Sequence, residues 1–215
     1  VAYEQVENGK LRDDGVKLLV LPMSQALSAI EAERLRQFVA EGGVLVADVL
    51  PGFRDGHARP VKPLLDDVFG VDQGQGRLVF EVGPVAVKSL SLAGAAVAPF
   101  SVDAKRGNAD LKLAGATALA SFQDKQGRDV PALVVNRYGK GRAVYLNFVI
   151  NDYGTYAAGG VGGEVSIVRE AKAEKRRQMG DIFRSLLELA QVRPRVRIFE
   201  NDAPFVDAVP YVYRS

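Results

Sequence analysis

Two short apolar runs in the first fifty residues lack the polar alternation of a half-exposed strand. They are Lys17–Leu21 and Val44–Val49, and such unbroken runs are typical of strands buried on both faces of a parallel sheet. The segment between them has helical periodicity, so strand, helix and strand form a βαβ unit with parallel strands. We therefore expect the two strands to be adjacent or near-adjacent in a mostly parallel sheet flanked by helices.

The helix between these strands has recognisable start and stop signals. Ser28 and Glu31 fit a capping box, in which the serine hydroxyl accepts from the N3 amide and the glutamate accepts from the cap amide. Gly42-Gly43 fits the end of the helix, because glycine tolerates the left-handed conformation of a helix stop. Ile30 opens the helix, and the apolar positions that follow at helical spacing are Leu35, Phe38 and Val39.

The middle of the chain changes pattern. Leu64–Phe69 indicates a short helix, and residues from about 72 to 120 hold short apolar runs among many small residues, which predicts a β-rich excursion of short strands. Two longer runs, Ala132–Tyr138 and Arg142–Val149, are separated by Gly139-Lys140-Gly141. Glycines between two strand patterns indicate a hairpin. These residues could also suggest a phosphate loop, but such loops precede a helix and a strand follows here, so the hairpin is the favoured interpretation.

The carboxyl-terminal part predicts a loop, a long helix and the start of another unit. Asp152–Glu164 is a glycine-rich loop, and a helix follows over about Ser166–Leu189. The first half of that helix is charged on all sides and indicates a solvated surface. Arg195–Ser215 alternates weakly and suggests strands of a further β unit. The predicted apolar face of the helix consists of Ile182, Phe183, Leu186, Leu187 and Ala190.

Composition narrows the class of protein without defining a chemistry. The 215 residues fit one domain with a small appendage, and a net charge of +2 gives no global attraction to nucleic acid. The sequence has no apolar run of about 18 residues, so no membrane span is expected. Cysteine is absent, which excludes disulfides, zinc–thiolate sites and cysteine nucleophiles. The compartment is not fixed by this composition.

Three polar residues at and after the second strand are the candidate site. Ligands in open α/β sheets bind beyond the carboxyl ends of the strands, and Asp48, Asp55 and His57 follow Val44–Val49. They could bind a ligand or form an interface contact, but their spacing matches no metal motif. Asp66-Asp67 has a simpler explanation, since carboxylates are favourable at a helix start. We expect no catalytic residue, no metal and no cofactor.

Two longer segments carry a family resemblance. The run from Leu19 to Asp48 has the pattern LVLP…LS…E…R…FV…GG…AD, and Tyr138–Phe148 reads YGKGRAVYLNF. Both resemble the β-galactosidase trimerisation domain of family 42 glycoside hydrolases, which belongs to the class I glutamine amidotransferase-like superfamily. With the spacing between them, they cover most of residues 3–192. The resemblance implies an α/β, flavodoxin-like sheet.

The resemblance also implies a role. Domains of this family follow a catalytic barrel, help to assemble a trimer and shape the entrance to the active site, while the catalytic glutamates belong to the barrel. We therefore expect a non-catalytic interdomain and oligomerisation domain of a bacterial glycoside-hydrolase-like protein of carbohydrate metabolism. Its expected partners are copies of itself, with a trimer favoured, and other domains of the same polypeptide.

The same resemblance implies domain boundaries. Residues 1–192 form the amidotransferase-like domain, and residues 193–215 lead into a carboxyl-terminal β unit. Family domains open with a strand and a helix before the segment matching Tyr3–Leu11, and this sequence lacks them. We therefore expect the chain to be part of a longer protein.

Two other classes of function stay open. The first is a small enzyme or sugar-binding module that uses the strand-end cleft near Asp48, Asp55 and His57. The second is a free-standing regulatory or scaffold protein with the amidotransferase fold. A cleft with several convergent polar side chains would favour the enzyme or sugar-binding module, whereas a barrel encoded upstream in the same reading frame would favour the oligomerisation domain.

Overall fold

The computed structural model describes residues 3–87, 90–92, 95–97, 100–149, 180 and 182–192. The helices are α1 (Tyr3–Glu7), α2 (Ala29–Ala40), α3 (Asp66–Phe69) and α4 (182–189). The strands are β1 (Leu18–Leu21), β2 (Val44–Ala47), β3 (Val71–Asp72), β4 (Leu78–Val87), β5 (Leu90–Leu92), β6 (Ala95–Val97), β7 (Phe100–Asn108), β8 (Lys112–Leu113), β9 (Thr117–Gln123), β10 (Asp129–Tyr138) and β11 (Gly141–Leu146). The predicted loop 152–164, the predicted helical residues 166–179 and the predicted β unit 195–215 lie outside the described residues.

A mixed sheet of seven strands organises the described residues, in the order β1-β2-β11-β10-β9-β4-β7. Strands β1, β2 and β11 are parallel, with Leu18 opposite Val44 and Val44 opposite Arg142. The other neighbours pair antiparallel. The expectation of a mostly parallel sheet is therefore wrong for this part of the chain, although the α/β class is right. The physical reason is that β9, β10 and β11 follow one another through short turns, which can join only antiparallel neighbours.

The two predicted parallel strands differ in burial. They are adjacent as expected, and every residue of β2 is buried. Strand β1 is the outermost strand of the described sheet, and only Leu19 of its four residues is buried. The prediction that both strands are buried on both faces is therefore wrong for β1. An unbroken apolar run cannot distinguish an inner strand from an edge strand, because the strands that pair with it come from segments that are distant in the sequence.

Helix α2 confirms the local signals. Ser28 Oγ accepts from Glu31 N at 3.1 Å, and Ser28 N donates to the Glu31 carboxylate at 2.7 Å. Leu35, Phe38 and Val39 are buried, whereas Ile30 opens the helix on its exposed side. The helix ends at Glu41, and a Cβ on Gly43 would lie 2.4 Å from the Phe38 ring. Glycine is therefore required where the chain turns back towards β2.

The predicted hairpin and excursion are present with different bounds. Tyr138 pairs with Gly141, so the turn between β10 and β11 consists of Gly139 and Lys140, and Gly139 has φ +57°. Residues 72–120 contain short strands as predicted, but β4 is longer, with 10 residues and a register shift between Phe80 and Gly83. Strands β4, β7 and β9 extend the central sheet, while β3–β8 and β5–β6 form two small separate pairs.

Helices cover both faces of the parallel part of the sheet. A Cβ on Gly141 would lie 2.2 Å from the Val39 carbonyl oxygen, so this face of β11 contacts α2 directly. The next residue, Arg142, points to the opposite face, where it lines a cavity with the end of α4. Residues Ile182, Leu186 and Ala190 of the predicted apolar face are buried, and Phe183 and Leu187 are half-buried.

Candidate functional site at the strand ends

Asp48 lies at the carboxyl end of β2, as expected, but it is fully buried. Its Oδ1 accepts from the backbone N of Met23 at 2.5 Å. Met23 follows β1 with φ +48°, a conformation that is uncommon for a residue with a side chain. The chain leaves β1 through Met23, whose backbone conformation is unfavourable. The hydrogen bond to the Asp48 carboxylate stabilises that conformation.

Asp55 and His57 belong to the loop after β2, and the structure brings them together through the backbone. Asp55 Oδ1 accepts from His57 N and Arg59 N, both at 2.9 Å, and Oδ2 accepts from Arg59 Nε at 3.0 Å. The backbone N–H of Arg59 is the main cause of the lowered pKa of Asp55. The imidazole of His57 is exposed, whereas Asp48 is buried. Asp55 therefore orders its own loop.

A buried tyrosine joins the loop after β2 to the rest of the sheet. Tyr145 on β11 has no exposed surface, and its ring packs edge-on against Phe69 with centroids 5.6 Å apart. Its hydroxyl accepts from Leu50 N at 3.1 Å and donates to Gln73 Oε1 at 3.5 Å. Burial raises the pKa of Tyr145. The hydroxyl is therefore a neutral structural group that holds Leu50, which has φ +60°.

Gln73 continues this network to a carboxylate. Its Nε2 donates to Pro51 O at 3.1 Å and to Asp66 Oδ1 at 2.8 Å. The pKa of Asp66 is raised to about 6, mainly by burial; the bonds from Gln73 oppose the shift, and the charges of Asp72 and Asp67 contribute to it. Asp67 instead pairs with Arg36 at 2.8 Å. The two carboxylates at the start of α3 thus have different roles, which their sequence position did not indicate.

Two asparagines complete the network. Asn147 Oδ1 accepts from Asn108 N at 2.7 Å, and Asn147 Nδ2 donates to Asn108 O and Pro131 O, both at 2.9 Å. Asn108 Nδ2 donates to Gln73 O at 2.9 Å. These bonds connect the ends of β7 and β11 to β10 and to the turn after β3. The sequence signal was the amide of Asn147 within the otherwise apolar run RAVYLNFV.

The polar groups at the strand ends are bonded to one another, which leaves little for a substrate. A cavity of about 280 Å³ opens beside the end of β1 and is lined by Leu21, Met23 and Glu31 among others. The carboxylate of Glu31 is engaged in the capping box. No group of three metal-ligating side chains occurs among the described residues, and none of the described helices is long and apolar enough to cross a membrane. Satisfied buried networks of this kind make a fold rigid.

These features define a mixed α/β domain whose strand-end polar groups hold its own loops in place. The chain belongs to the β-galactosidase trimerisation domain family, whose model matches residues 11–157. The family expected from the two sequence motifs is thereby confirmed.

The chain is similar to β-galactosidases both in sequence and in structure. Over 144 residues the chain is 31% identical to the β-galactosidase BbgII of Bifidobacterium bifidum, covering 62% of this chain and 20% of that protein. Among solved structures it resembles Gan42B, a GH42 β-galactosidase from G. stearothermophilus, with a TM-score of 0.54, 24% identity and coverage of 84% of this chain and 22% of that one. The β-galactosidase of Rahnella sp. R3 gives a TM-score of 0.57 at 21% identity, with coverage of 83% and 23%. The chain thus spans about a fifth of the length of these relatives.

Proposed function

We propose that this chain is the non-catalytic oligomerisation and interdomain domain of a larger β-galactosidase-like protein of carbohydrate metabolism. The family match over residues 11–157 carries the proposal. The short span relative to the β-galactosidases supports it, because most of each relative lies outside the matched region. The favoured assembly is a trimer. In finer detail, we propose a flavodoxin-like domain over residues 1–192 and the beginning of a β unit at 193–215.

The outer edge of β1 supports a role in packing against other protein. Lys17 O accepts from Val44 N at 2.9 Å, and the alternation of a parallel ladder then turns the backbone groups of Leu18 and Val20 away from β2. Both side chains are apolar and only half-buried. An apolar edge whose outward backbone groups pair with no strand among the described residues invites association. A further segment of the larger polypeptide, or another copy, would cover it.

A sugar-binding module is the second candidate, and the cavity beside β1 is the observation that favours it. In that proposal Asp48 supports Met23 at the rim. Asp55 and the exposed His57 do not line the cavity, but they follow Arg54, which pairs with the lining residue Ala26, and are contact residues beside it. Calorimetric titration with galactose and lactose tests it. Saturable binding that is lost in His57→Ala would favour this candidate, whereas no heat up to millimolar sugar would remove it.

The absence of catalysis is tested with the purified chain and nitrophenyl β-galactoside. Glycosidases use two carboxyl groups on either side of the scissile bond, about 5–5.5 Å apart for retention and about 6.5–9.5 Å for inversion. Asp48 and Asp55 are instead bonded to backbone amides, and Glu31, the carboxylate that lines the cavity, is engaged in the capping box. We expect no turnover above buffer. Turnover that disappears in Asp48→Asn would contradict the proposal and make the strand end an active site.

A further inference from the structure

The turn between β10 and β11 carries three cations close together. Arg137 and Arg142 are directly opposite each other across the hairpin, and Lys140 lies in the turn. Arg137 and Lys140 are exposed, and Arg142 is half-buried. We call these three residues the cationic hairpin end. Like charges directly opposite one another across two strands destabilise the pair.

The described part of the chain offers these cations no carboxylate. None of the three takes part in an ion pair with a described residue. Glu41 is close in the fold, since Lys140 N donates to Ala40 O, but its carboxylate accepts from the Gln37 amide at 2.9 Å. The hairpin therefore holds a repulsive pair that has no carboxylate partner among the residues that the structure describes.

The end of α4 gives only a partial explanation for these cations. Arg142 and Lys140 line a cavity of about 260 Å³ with the last residues of that helix, and a cation is favourable at a helix carboxyl terminus. Lys17 already fills this role, because its Nζ donates to Gln191 O at 3.4 Å. Arg137 lies outside that cavity and is not explained by the helix end.

A complementary surface lies beside the cationic hairpin end. Asp13 and Asp14, which we call the acidic turn, are exposed and form no ion pair with a described residue. Asp14 accepts only a long bond of 3.4 Å from the Gln5 amide. Glu4 and Glu7 of the preceding helix add two more exposed carboxylates.

The two surfaces are neighbours at one end of the molecule. A Cβ on Gly42 would lie 3.8 Å from Lys140 Cβ and 3.9 Å from Nη2 of Arg12, the residue before the acidic turn. A ring of identical chains uses a heterologous interface, in which one patch of each copy meets a different patch of the next. When the symmetry axis passes close to each copy, the two patches of that copy lie side by side on its surface.

We propose that the cationic hairpin end of one copy binds the acidic turn of the next copy around a threefold axis. This inference rests on the proposed oligomerisation function and assigns the surface that performs it. The carboxylates neutralise the repulsion between Arg137 and Arg142, for which the described part of a single copy provides no ion pair. The interaction is electrostatic, so it weakens as salt shortens the screening length from about 10 Å at 0.1 M to about 3 Å at 1 M.

The test is the molar mass of the 215-residue chain and four variants by light scattering after size exclusion. Two variants reverse one surface each, R137E/R142E and D13K/D14K. A third combines all four changes, which exchanges the charges but keeps the two surfaces complementary. The matched control is K62E/K125E, which reverses two exposed lysines without an ion pair among the described residues.

We expect a threefold fall in mass, to the 23.2 kDa of the single chain, in both surface variants, and a trimer in the fourfold variant and in the control. Thermal melting separates dissociation from misfolding, because R137E/R142E should still unfold in one cooperative transition, at the temperature at which the unmodified chain melts once dilution has dissociated its trimer. A trimer that survives both reversals overturns the assigned surface and leaves oligomerisation intact. A fourfold variant that stays monomeric also overturns it. An unmodified chain that is monomeric at every concentration contradicts both the surface and the proposed function.

Discussion

At the scale of single residues, Asp66 gives the clearest dependence on pH. Its carboxylate is held by the amide of Gln73 in a partly buried position, and burial raises its pKa from 3.8 to about 6. The folded state therefore binds the proton more tightly than the unfolded state. The resulting penalty is small below pH 4, grows as pH rises towards 6 and is complete above it.

Asp66→Asn removes this penalty and keeps an oxygen that can accept from Gln73. We expect the variant to be more stable than the unmodified chain by about 1–2 kcal/mol at pH 7.5, a figure reduced for partial solvation, and nearly unchanged at pH 4. Urea unfolding at the two pH values measures the difference. Asp67→Asn is the matched control, because Asp67 pairs with Arg36 at the surface. An equal effect of Asp66→Asn at both pH values would show that ionisation is not the cause.

The difference in burial between strands β1 and β2 can be measured as a difference in the free energy of unfolding. Val46 in β2 has no exposed surface, whereas Val20 in β1 is half-buried. Val46→Ala should destabilise the chain by about 1–4 kcal/mol through lost burial and a cavity. Val20→Ala removes the same atoms from the edge strand and should cost less than half as much. Equal losses in urea unfolding would contradict the assignment of β1 as the edge.

The polar network at the strand ends was the residue-level feature that sequence reasoning missed. Asn108 and Asn147 are 39 positions apart, and Gln73 and Tyr145 are 72 apart. No local spacing relates such partners, so only the folded sheet brings them together. Asp48 was placed correctly at a strand end, but its burial and its bond to Met23 depend on the neighbouring strand.

At the scale of elements, close backbone approach fixes how α2 lies on the sheet. A Cβ on Gly141 would lie 2.2 Å from the carbonyl oxygens of both Gly43 and Val39. Since these are backbone atoms, Gly141→Ala must move the helix away from β11 and should cost about 2 kcal/mol or more. Gly180→Ala is the control, because Gly180 has open space around it and no positive φ. A Gly141→Ala chain that melts like the unmodified chain would contradict this packing.

The elements whose formation depends on neighbouring residues could be predicted from the sequence. The arrangement of those elements in the sheet could not. The capping box of α2 and the turn between β10 and β11 depend on residues within a few positions of one another. The pairing of β11 with β2 and the edge position of β1 depend on contacts between distant segments. The excursion was recognised as short strands, but its attachment through Ala86 and Ser121 to the central sheet was not.

At the scale of the whole molecule, the family was predicted from two sequence motifs and not from a group of catalytic or ligand-binding side chains. The strands that flank the capping-box helix form the parallel part of the sheet together with β11, whose hairpin partner β10 is antiparallel. Both motifs lie within the matched residues 11–157. The groups at the strand ends that could be reactive are bonded to the fold itself. We therefore propose that three surfaces carry out the function: the edge of β1, the cationic hairpin end and the acidic turn.

The most direct test of this account is the molar mass of the isolated chain by sedimentation equilibrium at about 0.1 M salt over a range of concentrations. The account predicts a species three times the 23.2-kDa chain at the higher concentrations. That trimer should dissociate on dilution and as the salt concentration is raised. A single 23.2-kDa species across the whole range would contradict the proposal that this chain is an oligomerisation domain.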